Sequence, residues 1–179
     1  AFTLEISMKK KIVFVGMPSC GKTRIGKRIA KALELDFIDT DNIIKQRAGR
    51  DLSEIIKTSG DDALLKFENE ALMTNFKTPA VIATGGSAVF CTEGMNKLSK
   101  ESVIVFLDIN ISTLKSRVKS LEARGVVMGG KSIEEVYMQR RALYLKYADI
   151  IINNDRFNAA QTTVNIINRL VRKGYIRIF

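Results

Sequence analysis

Residues 11–23 read KIVFVGMPSCGKT, and the parsing of this stretch decides the fold. Lys11–Val15 is a short run rich in β-branched and aromatic residues, the composition of a buried strand. Gly16–Thr23 fits G-x-x-x-x-G-K-[ST], a loop whose backbone N–H groups cradle phosphate. Ile25, Ile29 and Leu33 then fall on one face of a helix. A strand before the loop and an amphipathic helix after it set the pattern apart from a chance glycine turn. Gly16 and Gly21 permit the tight turn and a close approach of backbone to phosphate. The helix directs its N-terminal N–H groups and positive dipole end at the same anion. Lys22 reaches the β- and γ-phosphates of a nucleotide, and the Thr23 hydroxyl suits Mg²⁺. Ser19 and Cys20 complete the set of nucleotide-binding candidates. The Cys20 thiol lies near the helix end, where a thiolate is favoured; packing accounts for it equally well.

Working outward, DFID (36–39), AVIAT (80–84), SVIVFLDI (102–109) and DIIIN (149–153) read as further buried strands, with helical segments between them. DLSE (51–54) and SIEE (132–135) have capping-box spacing. Over 132–148, Val136, Leu143 and Tyr147 share one side of a helix, which leaves Arg140 elsewhere on its surface. Strands that alternate with helices predict a parallel sheet covered on both faces. In such sheets ligands bind beyond the carboxyl ends of the strands. The unusual polar features fall there: Gly16 after the first strand, DTD (39–41) at the second, TGGS (84–87) at the third.

The chain has 179 residues, 46% of them hydrophobic, which fits one domain with a full core. No apolar run approaches the length of a membrane span. Residues 1–7, AFTLEIS, precede a Met8 that reads as the native start, so they are expected to be a leftover of cloning, with a single domain over 8–179. Two cysteines far apart, Cys20 and Cys91, suit a reducing cytoplasm. There is no histidine, which removes Ser-His triads and histidine metal sites. The net charge of +10 raises nucleic acid as a partner, but its distribution is uneven. Residues 1–31 hold eight Lys/Arg against Glu5, residues 34–70 hold ten acids against five bases, and 168–179 hold four bases. Basic ends around an acidic middle form no continuous stripe. A solvated basic surface with an anion pocket is expected, without nucleic acid or membrane partners.

Three further features carry chemistry. Asp39 and Asp41, two residues apart at a strand end, can serve different partners, one a metal and one an acceptor hydroxyl; alternatively one Asp caps the helix starting near Asn42. Gly85 and Gly86 let backbone N–H groups meet a substrate anion. The glycine-containing stretch 119–131 reads as a lid, and an arginine carried on it, Arg124, can neutralise charge on a transferring phosphoryl group. Arg117 lies on the helix after the fourth strand.

The order G-x-x-x-x-G-K-[ST], D-x-D, G-G, lid arginine and R-x-x-x-Y-x-x-x-A-D (140–149) resembles the shikimate kinases over about Lys11–Asn153. The resemblance implies an α/β, three-layer P-loop kinase fold: a five-stranded parallel sheet with helices on both faces and a short lid. It implies transfer of phosphate from MgATP to the 3-hydroxyl of shikimate, in aromatic amino-acid biosynthesis; a cytoplasmic protein that works as a monomer is expected. By position it assigns Lys22 and Thr23 to phosphate and Mg²⁺, and Asp39 to the metal. Asp41 becomes the base that also binds the shikimate hydroxyls, and Lys22, Asp41 and Arg124 form the catalytic set. Gly85, Gly86 and Arg140 are assigned to the acceptor, Arg140 to its carboxylate, and Arg117 to the adenine.

Three departures stand out. The family's G-E-x-x-F-R-x-x-E reads GDDALLKFE (60–68) here, placing Leu65 where an arginine clamps the carboxylate. Lys66 is adjacent, but one residue along a helix turns a side chain by about 100°. The third glycine of the family's G-G-G is Ser87, and R-P-L-L of the lid reads RGVV. Losing one carboxylate-binding arginine removes a contact of roughly 1.5–3 kcal/mol. A kinase of the same fold for another small hydroxylated metabolite is therefore the alternative, with a nucleotide-dependent regulatory protein behind it.

Overall fold

The computed structural model describes residues 4–6, 11–76, 79–118, 126 and 128–178. In chain order the strands are β1 (Leu4–Ile6), β2 (Lys11–Val15), β3 (Asp36–Asp39), β4 (Ala80–Ala83), β5 (Ser102–Asp108), β6 (Ile150–Asn153) and β7 (Ile176–Ile178). The helices are α1 (Lys22–Ala32), α2 (Thr40–Ala48), α3 (Leu52–Ser59), α4 (Asp61–Leu72), α5 (Thr92–Glu101), α6 (Ile111–Arg117), α7 (Ile133–Tyr147) and α8 (Ala159–Arg172).

Every residue of β2 is buried, which explains its unbroken apolar run: a central parallel strand has no solvent face. The five-stranded sheet has the order β3-β4-β2-β5-β6, and all its pairs are parallel. Val13 sits opposite Ile82 on one side and Ile104 on the other. At the edge, β6 alternates, with Ile150 and Ile152 buried and Ile151 and Asn153 exposed. The five predicted strands are the five of this sheet, trimmed at three ends. Thr84 turns away and donates its N–H and hydroxyl to the Phe14 carbonyl. Ile109 lies beyond β5, and Asp149 lies ahead of β6, where its carboxylate accepts the Ile104 N–H at 2.9 Å.

The parallel strands are joined by crossovers that contain helices. Helix α1 packs on β2, β3 and β4 and against α8, while α5 and α7 pack on β5. Helices α2, α3 and α4 share a satellite core of Ile44, Leu52, Ile55, Leu64 and Ala71. Helix α4 also packs on α5 and on the 3₁₀ turn Ala88–Phe90, which carries Leu65 and Glu68 over the carboxyl edge of the sheet. Outside the main sheet, β1 pairs antiparallel with β7, Glu5 opposite Arg177. The segment set aside in the sequence and the C-terminal tail thus form one ribbon.

Two local expectations differ from the structure. Ser132 and Glu135 do form a reciprocal capping box at α7, but Asp51 makes no side-chain cap at α3. Its carboxylate is taken instead by Lys45, at 2.9 Å. Arg140 is not on the surface: it is 0% exposed and shares the buried stripe of α7 with Val136 and Tyr144, at four-residue spacing. Leu143 and Tyr147 flank that stripe, half-buried. Among the described residues no helix is long and apolar enough to cross a membrane.

Candidate active site

The glycine loop is held in conformations that side chains disfavour. Gly16 has φ 149°, Gly21 φ 105° and Ser19 φ 61°. A Cβ on Gly16 would lie 2.7 Å from both Cys20 Sγ and the Leu107 carbonyl oxygen, so only glycine fits. The Cys20 side chain is fully buried in the core, so packing accounts for it. Its carbonyl accepts from Asn154 Nδ2 at 2.8 Å, and Asn154 Oδ1 accepts from the Thr162 hydroxyl at 2.6 Å. No local pattern announces this brace, because it ties the loop to residues far along the chain.

Lys22 is buried, with Nζ folded back over the loop. It donates to the carbonyls of Gly16 at 2.7 Å and Met17 at 2.9 Å. The ammonium thus stands at the loop before any phosphate arrives. Arg117, exposed at the end of α6, donates to the Ser19 carbonyl at 3.2 Å and marks the outer rim of the loop.

A cleft of about 310 Å³ lies along the carboxyl edge of the sheet, with Lys22, Thr23, Asp39, Asp41, Glu68 and Gly85 in its walls. Asp39 serves two neighbours. One oxygen accepts the Asp41 N–H at 3.0 Å and caps α2, which begins at Thr40 rather than near Asn42. The other accepts the Thr23 hydroxyl, also at 3.0 Å. A hydroxyl beside a carboxylate is a hard oxygen donor set that suits Mg²⁺, a cation held by one or two protein oxygens plus phosphate and water.

Asp41 and Glu68 converge on the backbone of Gly85. A Cβ there would collide with Glu68 Oε1 and lie 2.9 Å from Asp41 Oδ1, so glycine is required for both carboxyl groups to fit. Asp41 Oδ1 and Glu68 Oε2 are buried with no hydrogen-bond partner among the described residues, an arrangement that favours a polar ligand between them. Burial, then the charge of Asp39, raises the Asp41 pKa, against the pull of Lys22 and Lys45. Glu68 is pushed up to about 8, first by burial and then by Asp41, while Arg140, the Ser87 N–H and Lys22 oppose the shift. Glu68 was not among the expected site residues. Its signal was an acid at i+4 from Leu64, on the apolar stripe of α4.

The Gly85 N–H donates to the Thr40 hydroxyl at 3.2 Å, so it is engaged within the protein. The Gly86 carbonyl accepts the Tyr144 hydroxyl at 2.6 Å. Beside Gly86 lies Arg140, whose Nη1 would be 3.1 Å from a Cβ at that glycine and whose guanidinium sits over the Phe90 ring at 5.3 Å. Arg124 and most of the expected lid lie outside the described residues; within it, Val126 is buried and lines the cleft.

The geometry brings Lys22, Thr23, Asp39, Asp41, Gly85 and Gly86 to one cleft, with Arg140 against its Gly86 wall and Arg117 at the rim of the loop. Residues 18–171 match the family model described as Shikimate kinase. The shikimate kinase of Xylella fastidiosa (strain M12) is 34% identical over 161 residues, covering 87% of this chain and 89% of the relative. That of Clostridium beijerinckii is 35% identical over 150 residues, covering 83% and 88%. Among solved structures, shikimate kinase from Acinetobacter baumannii in complex with shikimate superimposes with a TM-score of 0.81 at 22% identity, covering 92% of this chain and 94% of the other.

Proposed function

The chain belongs to the shikimate kinase family, and from that premise we propose that its cleft transfers the γ-phosphoryl group of ATP to the 3-hydroxyl of shikimate, with Asp41 as the base. The observation that carries this reading is the meeting of a phosphate loop, a preplaced ammonium and a buried carboxylate oxygen without a partner among the described residues, all in one cleft.

ATP lies along residues 16–23 with its adenine toward Arg117. Lys22 exchanges the carbonyls of Gly16 and Met17 for phosphate oxygens, and Arg124 adds charge from the lid. Mg²⁺, held by Thr23 and Asp39, supplies charge neutralisation at the phosphates when bound. Asp41 orients the acceptor hydroxyl and takes its proton. The acceptor oxygen bonds to the γ-phosphorus as the β–γ bridging bond breaks, and ADP leaves with that electron pair. Gly85, Gly86 and Arg140 position the acceptor. A single chain is the working unit in this reading, and two free, buried cysteines suit a reducing cytoplasm.

ADP release from MgATP, measured with and without shikimate and with a panel of small hydroxylated metabolites, tests the reading. Shikimate-dependent release is expected. Background hydrolysis with shikimate, together with turnover of another acceptor, would select the second reading, which Leu65 motivates: the same chemistry on a different hydroxylated metabolite. Lys22→Met is expected to lower kcat by roughly 10²- to 10³-fold, the usual cost of removing one preorganised charge at a developing anion. A fall of less than tenfold in single-turnover phosphoryl transfer would remove Lys22 from the mechanism.

A further inference from the structure

Leu65 leaves α4 without a cation at the end of the cleft nearest Arg140, and another element brings one to the same place. A second cleft, of about 180 Å³, has Leu65, Phe90 and Met128 on its apolar side and Lys131, Gln139 and Arg140 as its polar residues. Arg140 ties the two clefts together: its Nη1 lies against Gly86, in the wall of the first, and its guanidinium covers Phe90, in the wall of the second. Lys66, the nearest cation in sequence to Leu65, is exposed and absent from both walls.

Lys131 enters from the segment that leads into α7. Its N–H donates to the Met128 carbonyl at 3.1 Å, and the next residue, Ser132, is the N-cap of α7, so the backbone here is fixed from both sides. The side chain is exposed, and its Nζ donates at 2.7 Å to Oε1 of Gln139, the residue that precedes Arg140. Gln139 offers a neutral acceptor, so this contact does not neutralise the ammonium, whose charge also acts on Glu135. Among the described residues no acid lines the cleft. Two cations, no acid and an apolar wall suit an anionic group carried on a hydrocarbon skeleton, and a planar carboxylate matches the guanidinium fork.

We propose that Lys131 and Arg140 together bind the carboxylate of the acceptor, so that Lys131 determines acceptor specificity from outside α4. The inference rests on the kinase reading above and adds a residue to it. An ammonium on a flexible stem binds as a point charge, whereas an arginine at position 65 would form a fork. The carboxylate is therefore held by one fork and one mobile charge, with Leu65 against the skeleton.

The test compares the unaltered enzyme, Lys131→Met, and Lys131→Met combined with Leu65→Arg, in steady-state assays with shikimate and MgATP. Lys131→Met is expected to raise the KM for shikimate about 10- to 100-fold. KM for ATP should stay within about twofold, since Lys131 lies outside the nucleotide loop, and Leu65→Arg should recover part of the lost affinity. An amide in place of the acceptor carboxylate should weaken the unaltered enzyme strongly and Lys131→Met little. An unchanged KM for shikimate in an active Lys131→Met enzyme overturns the role of Lys131 and leaves the kinase reading standing. If the unaltered enzyme does not turn over shikimate, the acceptor assignment fails, and the same comparison is made with the acceptor that is active. An active acceptor without an acidic group, or no active acceptor in the panel, overturns the role of Lys131 too.

Discussion

Asp41→Asn is expected to lower kcat by about 10²- to 10⁴-fold with little change in the KM for ATP, the range for losing a positioned general base. Asparagine keeps the shape of the side chain and its capacity to orient a hydroxyl, so the loss isolates the proton-accepting role. Two features of the site favour the proposed role of this carboxylate as base. Burial and the charge of Asp39 raise its pKa, so it accepts a proton more readily than an exposed aspartate. Its Oδ1 also has no partner among the described residues that the acceptor would have to displace. Single-turnover phosphoryl transfer with saturating ATP is the decisive measurement. Near-normal transfer in the variant would move the base elsewhere in the cleft, with Glu68 the next candidate.

The second large effect is on stability. Glu68 is 3% exposed, and its pKa is raised from 4.5 to about 8 in the folded chain. The folded state therefore binds this proton more tightly than the unfolded state. Stability is fully present below about pH 4.5 and falls as pH rises through the window up to about 8, where the folded carboxyl must ionise. At about 1.4 kcal/mol per pKa unit, the loss is on the order of 3–5 kcal/mol. For a chain of this size that is a decrease in Tm of about 10 °C. Glu68→Gln, which cannot ionise, should remove this part of the pH dependence and melt higher than the unaltered protein at pH 8–9. Thermal unfolding of both proteins at pH 5 and pH 9 decides it: a Tm difference that stays constant with pH would mean Glu68 is not the titrating group.

What the sequence made legible was local in origin. The strands and the glycine loop were readable because their signals, an apolar run and fixed glycine spacing, come from neighbouring residues. Asp39 and Asp41 were readable for the same reason, although both weighed roles touch Asp39, which caps α2 while it faces Thr23. What failed depended on tertiary contact. Arg140 looked like a surface charge because burying a guanidinium is costly; the Phe90 face and the Gly86 wall give it a buried place. The capping box at α3 was lost to Lys45, a competitor six residues upstream of Asp51 that the four-residue pattern does not include. Glu68 stands within GDDALLKFE, but its raised pKa arises only where α4 meets Asp41 and the Gly85 turn that follows β4. The pairing of β1 with β7 joins opposite ends of the chain, and no local pattern specifies it.

The brace from Thr162 through Asn154 to the Cys20 carbonyl has a consequence for how the molecule opens. The glycine loop is joined by two buried hydrogen bonds to the segment after β6 and the first turn of α8, which lie far from it in sequence, and partial unfolding of one removes partners from the others. Their amide protons should then exchange with solvent as one cooperative unit, with a shared opening free energy, rather than in order of their depth in the sheet. Nucleotide that orders the loop would slow exchange in the first turn of α8 by the same margin, and destabilising that helix would weaken ATP binding without touching a residue in contact with phosphate.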